Sequence, residues 1–111
     1  PAEAQRLMTE EDALLLDVRD APELQANGTA IGAHHVPRGM LEFRADPEHP
    51  LHDAAFRRDR PVITFCAAGP RGALAAKTLR DMGYARVLTI GGFKDWAEAD
   101  LPVTKPVDPG M

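Results

Sequence analysis

Cysteine is almost missing from this sequence: Cys66 is the only one among 111 residues. An internal disulfide is therefore excluded, and stability has to come from packing. Positive charge is also scarce. The 13 Lys and Arg are outnumbered by 17 Asp and Glu, giving a net charge of −4, whereas a nucleic-acid surface needs a basic excess. Long apolar runs are lacking, so no segment reaches the length of a membrane span. Neither nucleic acid nor membrane is expected as a partner. Internal repeats and low-complexity stretches are absent as well. The first residue is Pro1 rather than methionine, which implies processing or trimming, and no signal-like apolar segment is visible. A cytoplasmic location is the expectation. What remains is one domain over 1–111, with enough apolar residues for a real core and an extended tail over 104–111.

Strand and helix signals alternate along the chain. Ala2 to Met8 has a short helical pattern that ends at Thr9-Glu10-Glu11-Asp12. Ala13 to Val18 is an apolar run broken only by Asp17, as in a strand covered on both faces. Asp20 can cap a helix with Pro22 in its first turn and Gly28 at its end. Ala33 to Val36 is a short strand before Pro37. Gly39 to Asp46 suggests one or two helical turns burying Met40, Leu41 and Phe43, and Leu51 to Arg57 suggests another short helix. Val62 to Phe65 is the next strand. The helix from Ala73 to Met82 has Ala75, Thr78, Leu79 and Met82 on one side and Gly83 beyond its end. Arg86 to Ile90 is a further strand, Gly91-Gly92 a turn, and Phe93 to Ala99 a closing helix in which Phe93 and Trp96 are core. The pattern is that of an α/β domain with a mainly parallel sheet. In such sheets the functional crevice lies beyond the carboxyl ends of the strands, where Asp17, Arg19, Cys66, Gly91 and Gly92 fall.

Cys66 is where the chemistry concentrates. It closes a buried strand and is followed by Ala67-Ala68-Gly69-Pro70-Arg71-Gly72 and then a helix. Strand, small-residue turn and helix start would direct the N–H groups of Ala67, Ala68, Gly69, Arg71 and Gly72 at the sulfur. Pro70 has no N–H to give, and it suits the first helical turn. Such a setting lowers the thiol pKa, giving a nucleophilic thiolate rather than an inert buried cysteine, and the three small residues leave it open to substrate. Arg71 either holds a substrate anion over the loop or pairs with a carboxylate. Asp17, a carboxylate in an apolar strand, needs donors that Arg19 or loop amides can supply, and is read as structural support. Arg19 itself faces the crevice or pairs with Glu23. His34 and His35 have no cysteine near them and Glu42 as the nearest carboxylate, so neither metal nor cofactor is expected.

The segments LLLDVRDAPEL, GTAIGAHHVPRG, FCAAGPRG and GYARVLTIGGFKDW, in that order and spacing, make the chain resemble a single-domain rhodanese, of the sulfurtransferase family. The resemblance spans roughly residues 2 to 103. It implies a small α/β domain with a central, mainly parallel five-stranded sheet flanked by helices on both faces. It also implies a two-step transfer in which Cys66 takes a sulfane sulfur from a small donor as a persulfide. A second nucleophile, cyanide or a thiol (a protein thiol included), then removes it. Cys66 would be catalytic; Ala67, Ala68, Gly69, Arg71 and Gly72 would bind substrate; Asp17 and Arg19 would support them. The protein would act as a monomer or homodimer.

Three features separate this chain from near relations. Many rhodaneses that use thiosulfate carry a basic residue directly after the cysteine, where this chain has Ala67, so weak thiosulfate turnover is expected. Gly28-Thr29-Ala30-Ile31 stands where the family commonly has Gly-His-Ile-Pro, which alters a turn and not the thiol. Phosphatases of related fold place five residues between cysteine and arginine. This loop has four, Ala67 to Pro70, a pocket better suited to sulfur than to tetrahedral phosphate. The competing readings are a non-catalytic interaction or sulfur-carrier module and, behind it, a phosphatase or arsenate reductase.

Overall fold

Alternation along the strands decides how the layers stack. Leu14, Leu16 and Val18 join one apolar cluster together with Val62 and Cys66, while Leu15, Ile63 and Phe65 join a second one. Successive side chains of a strand point to opposite faces, so the two clusters are the two faces of one sheet. The computed structural model describes residues 2–98, in the order α1 (Ala2–Glu11), β1 (Leu14–Asp17), α2 (Ala21–Asn27), β2 (His34–His35), a 3₁₀ turn (Arg38–Met40), α3 (Leu41–Ala45), β3 (Val62–Cys66), α4 (Pro70–Asp81), β4 (Val87–Gly92) and α5 (Phe93–Glu98). Buried residues of α3 and α4 cover the first face, and those of α1 and α5 cover the second. The expected tail over 104–111, and Ala99 at the end of the closing helix, lie outside the described residues. No helix among the described residues is long and apolar enough to cross a membrane.

The strands run in the order β2-β1-β3-β4 and every neighbouring pair is parallel. The sheet therefore has four strands among the described residues, not the five that the family resemblance implied. The cause is local. The N-terminal segment is helical through Glu11, with Ala4 and Leu7 buried one turn apart against the sheet. The long connection from 46 to 61 contains no regular helix or strand. The short helix expected over Leu51 to Arg57 is likewise absent. Two of its N–H groups are taken by side chains, His49 Nδ1 accepting from Leu51 and Asp53 Oδ1 from Ala55, and that of Asp53 goes to the distant Arg44 carbonyl. Bonds of that kind compete directly with helix formation. In α3 the buried residues are Leu41 and Ala45; Phe43, expected inside, is 45% exposed because it sits on the opposite helical face.

Two close approaches fix the carboxyl ends of β1, β3 and β4, where the chain order switches direction between β1 and β3. The first is an ion pair with no exposure to speak of. Asp17 accepts from the Arg19 backbone N–H at 3.0 Å, from the guanidinium at 2.9–3.2 Å and from the Thr29 hydroxyl at 2.6 Å. Arg19 donates onward to the Gly28 carbonyl and lies 4.5 Å above the Phe93 ring, so the pair ties β1 to the ends of α2 and the start of α5. Such a pair is costly to break from one side only, because the remaining charge is stranded.

The second approach involves glycine. Thr64 pairs with Thr89, but Cys66 pairs with Gly92, so β4 spends one residue more than β3 over that interval. The bulge brings Gly92 so near the loop after Cys66 that a Cβ built on it would lie 2.1 Å from the Ala67 carbonyl oxygen. The strand runs through Gly92, two residues beyond the expected end at Ile90. Gly72 makes a similar approach, its missing Cβ 3.0 Å from the Phe65 Cα, which lets the start of α4 lie directly on β3.

Two outcomes follow from these contacts. Asp17→Ala should cost about 3–5 kcal/mol, the usual result of stranding a buried charge, read as a lower denaturant midpoint. Gly92→Ala should cost about 1–3 kcal/mol of overpacking and should also slow alkylation of Cys66 in the protein that remains folded. An unchanged Cys66 alkylation rate in folded Gly92→Ala would show that this contact does not shape the loop.

Candidate functional site

β3 delivers Cys66 at its last position, and the chain then turns within Ala67, Ala68 and Gly69 before α4 begins at Pro70. Gly69 makes the turn with φ at +122°, a region that side chains other than glycine rarely adopt. Pro70 occupies the first helical turn, where an N–H would have had no helical partner. The loop then curls back on the sulfur. The Gly69 N–H donates to Cys66 Sγ at 3.0 Å. Burial pushes the Cys66 thiol up, but the N–H groups of Gly72, Gly69, Ala68 and Arg71 outweigh it and hold the thiol below its ordinary value. The arrangement favours an anion on this sulfur.

The loop encloses the thiol more closely than its small residues suggested. Cys66 is 1% exposed, whereas Ala68 at the rim is exposed and Ala67 half-buried. Ala67, Ala68, Gly69, Arg71 and Gly72 are brought together around Cys66 through the loop and the first turn of α4. Ala67 carries its carbonyl against Gly92. The helix start is held from behind by the buried Thr64 hydroxyl, which donates to the Gly72 carbonyl at 2.7 Å.

Arg71 is not left facing an empty crevice. Its two terminal nitrogens donate to the two carboxylate oxygens of Glu23 at 2.6 and 2.9 Å, a bidentate pair across α2 and α4. Hydrogen bonding from Arg71 holds the Glu23 carboxyl down at about 2, despite partial burial. The same contact raises Arg71, and the nearby Cys66 thiolate adds to it. Of the partners weighed for Arg19, neither the open crevice nor Glu23 is the one found: Arg19 turns inward to Asp17. Glu23 belongs to Arg71 instead. The sequence held one clue to this. Glu23 lies three residues after the helix-capping Asp20, whose N–H donates to Glu23 Oε1 at 3.1 Å, and that position turns the carboxylate towards the crevice end of α2.

The remaining polar residues near the strand ends are engaged in the scaffold. His35 Nε2 contacts the Arg19 carbonyl at 2.7 Å, and His34 Nε2 pairs with Asp53. Burial pushes the Asp53 carboxyl up, but the Ala55 N–H and His34 bring it below its usual value. An apolar cavity of about 320 Å³ lies between α1 and the sheet, lined by Leu7, Ile63, Leu88 and Ile90 among others, and none of the loop residues borders it.

The fold has known relatives. The family model for the rhodanese-like domain matches residues 1–99. A sulfurtransferase of Allochromatium vinosum is 34% identical over 93% of this chain and 89% of its own length. The thiosulfate sulfurtransferase GlpE of Actinobacillus succinogenes is 35% identical over 93% of this chain and 86% of its own. Among solved structures, a protein of unknown function from Rhodopseudomonas palustris, described as a possible tyrosine phosphatase, superposes with a TM-score of 0.85 at 40% identity. That match covers 93% of this chain and 80% of the other. With a parallel sheet flanked by helices, a cysteine closing its third strand and a match over nearly its whole length, the chain belongs to the rhodanese-like domain family.

Proposed function

We propose that the protein moves a sulfane sulfur from a small donor to a thiol or cyanide acceptor through a persulfide on Cys66. Relatives named as sulfurtransferases support sulfur transfer in general. The observation that carries the finer reading is the Gly69 N–H on Cys66 Sγ at 3.0 Å, in a loop whose amides hold the thiol below its ordinary value. In the first half-reaction the Cys66 thiolate attacks the outer sulfur of R–S–SH. The bond between the two donor sulfurs breaks, RS⁻ leaves with its electron pair, and Cys66–S–SH forms. In the second, an acceptor thiolate or cyanide attacks that outer sulfur and the Cys66 thiolate leaves. No redox partner is needed, and charge is conserved in both steps. The amides serve as fixed dipoles for the thiolate and for the deprotonated persulfide, so a separate general base is not required.

Phosphoryl transfer is the second reading, favoured by the resemblance to a possible tyrosine phosphatase. Two features weigh against it. The four-residue loop is short for a tetrahedral phosphate. The arginine that would clamp the phosphate is already chelated by Glu23.

Incubation with glutathione persulfide should add one sulfur atom to the protein by intact mass, and Cys66→Ala should gain none. Aryl phosphate hydrolysis that depends on Cys66, with no added sulfur, would transfer the assignment to a phosphatase. The pH profile is a separate check. Because the amides lower the thiol, the thiolate forms at lower pH than in a free cysteine. Alkylation by iodoacetamide should therefore rise with a midpoint below the free-thiol value of about 8.5. A midpoint at or above that value contradicts the amide cup.

A further inference from the structure

The cup around Cys66 is built from neutral dipoles, and Arg19 and Arg71 already have carboxylates. Arg19 is bound to Asp17 behind the loop. Arg71, the only cation within the loop itself, is bound through both terminal nitrogens to Glu23. Glu23 is held in turn by the Asp20 N–H at the start of α2, so the carboxylate is fixed from two sides. The pair is about one-third exposed. With its carboxyl held at about 2, Glu23 is ionised throughout the physiological range and the cancellation of charge is permanent.

Donors differ in how much charge they bring to such a site. Thiosulfate approaches as a dianion: the Cys66 thiolate attacks its outer sulfur, the S–S bond breaks, and sulfite leaves with two negative charges. Three negative charges then share the transition state. A persulfide R–S–SH or R–S–S⁻ brings at most one on its reacting sulfur atoms, and RS⁻ departs with it. Hydrogen-bond dipoles can hold one added charge, whereas a second calls for a counter-ion.

We propose that Glu23 is a specificity-determining residue: by chelating Arg71 it removes the counter-charge that a dianionic donor needs and leaves the Cys66 site selective for persulfide donors. This rests on the sulfurtransferase reading above. Glu23 acts through Arg71 and is a positioning residue, touching neither donor nor sulfur.

The test measures kcat and KM with thiosulfate and with glutathione persulfide, using cyanide as acceptor, in the wild type, Glu23→Gln, Glu23→Asp and the double variant Glu23→Gln/Arg71→Gln. Glu23→Gln should raise kcat/KM for thiosulfate relative to glutathione persulfide by about tenfold, chiefly through KM. Glu23→Asp should stay near the wild-type ratio. The double variant, neutral again, should return to it. Should Glu23→Gln fail to fold, Ala67→Arg leaves the pair intact, supplies a cation beside the thiol, and should shift the ratio the same way. A ratio unmoved by the added charge, or a gain that survives in the double variant, overturns the proposal while leaving sulfur transfer standing. A wild type that acquires no sulfur from either donor overturns both.

Discussion

An anionic sulfur at the end of a buried strand is tolerable only if hydrogen-bond donors surround it, and everything near Cys66 is arranged around that requirement. The thiol is 1% exposed, so water supplies little solvation. Burial alone would raise its pKa and leave a neutral, unreactive group. The compensation comes from backbone N–H groups, and those point inward only because the chain reverses sharply between β3 and α4. Gly69 permits the reversal, Pro70 starts the helix without an orphaned N–H, and Gly72 lets the helix lie on the strand it has just left. Losing any of these would turn the amides away before it changed the cysteine itself.

The position of the loop is in turn set by β4. Cys66 and Gly92 are paired across the bulge, and no side chain fits between Gly92 and the Ala67 carbonyl. The adjacent strand thus forms one wall of the turn. On the other side, Asp17 and Arg19 brace the end of β1, which pairs with β3 up to the residue before Cys66. A rigid frame of this kind holds donors in place before any charge develops, which is how dipoles in a protein outperform mobile water.

Much of this was legible in the sequence because it depends on neighbours along the chain. The strand read over Val62 to Phe65 and the helix read over Ala73 to Met82 are local patterns; the structure extends the strand to Cys66 and starts the helix three residues earlier, at Pro70. Asp17 with Arg19 was also within reach, since they lie two residues apart. What escaped depends on contacts distant in sequence or on competition between local bonds. Glu23 and Arg71 are 48 residues apart, and nothing in either neighbourhood says which carboxylate the arginine will find. The helix expected over Leu51 to Arg57 gives way to N–H bonds that the His49 and Asp53 side chains accept, and Phe43 was placed inside on hydrophobicity although its helical face points outward. The fifth strand came from the family resemblance, and the reading of the residues had assigned it no segment.

The two ion pairs at this end of the sheet show why position outweighs chemistry. Asp17–Arg19 and Glu23–Arg71 are both carboxylate–guanidinium contacts of similar length. The first is sealed, and its work is to hold a strand end, a loop carbonyl and a helix start together. An arriving donor meets none of its charge. The second stands partly in solvent beside the loop, in electrostatic contact with Cys66. On the proposed function, that pairing would govern what a donor encounters, because a guanidinium already neutralised by a carboxylate offers a second anion little net charge. Dipoles and ions are therefore not interchangeable at this site. The amides favour one charge on sulfur, and on the proposal above the state of Arg71 would set how much more negative charge can come with it.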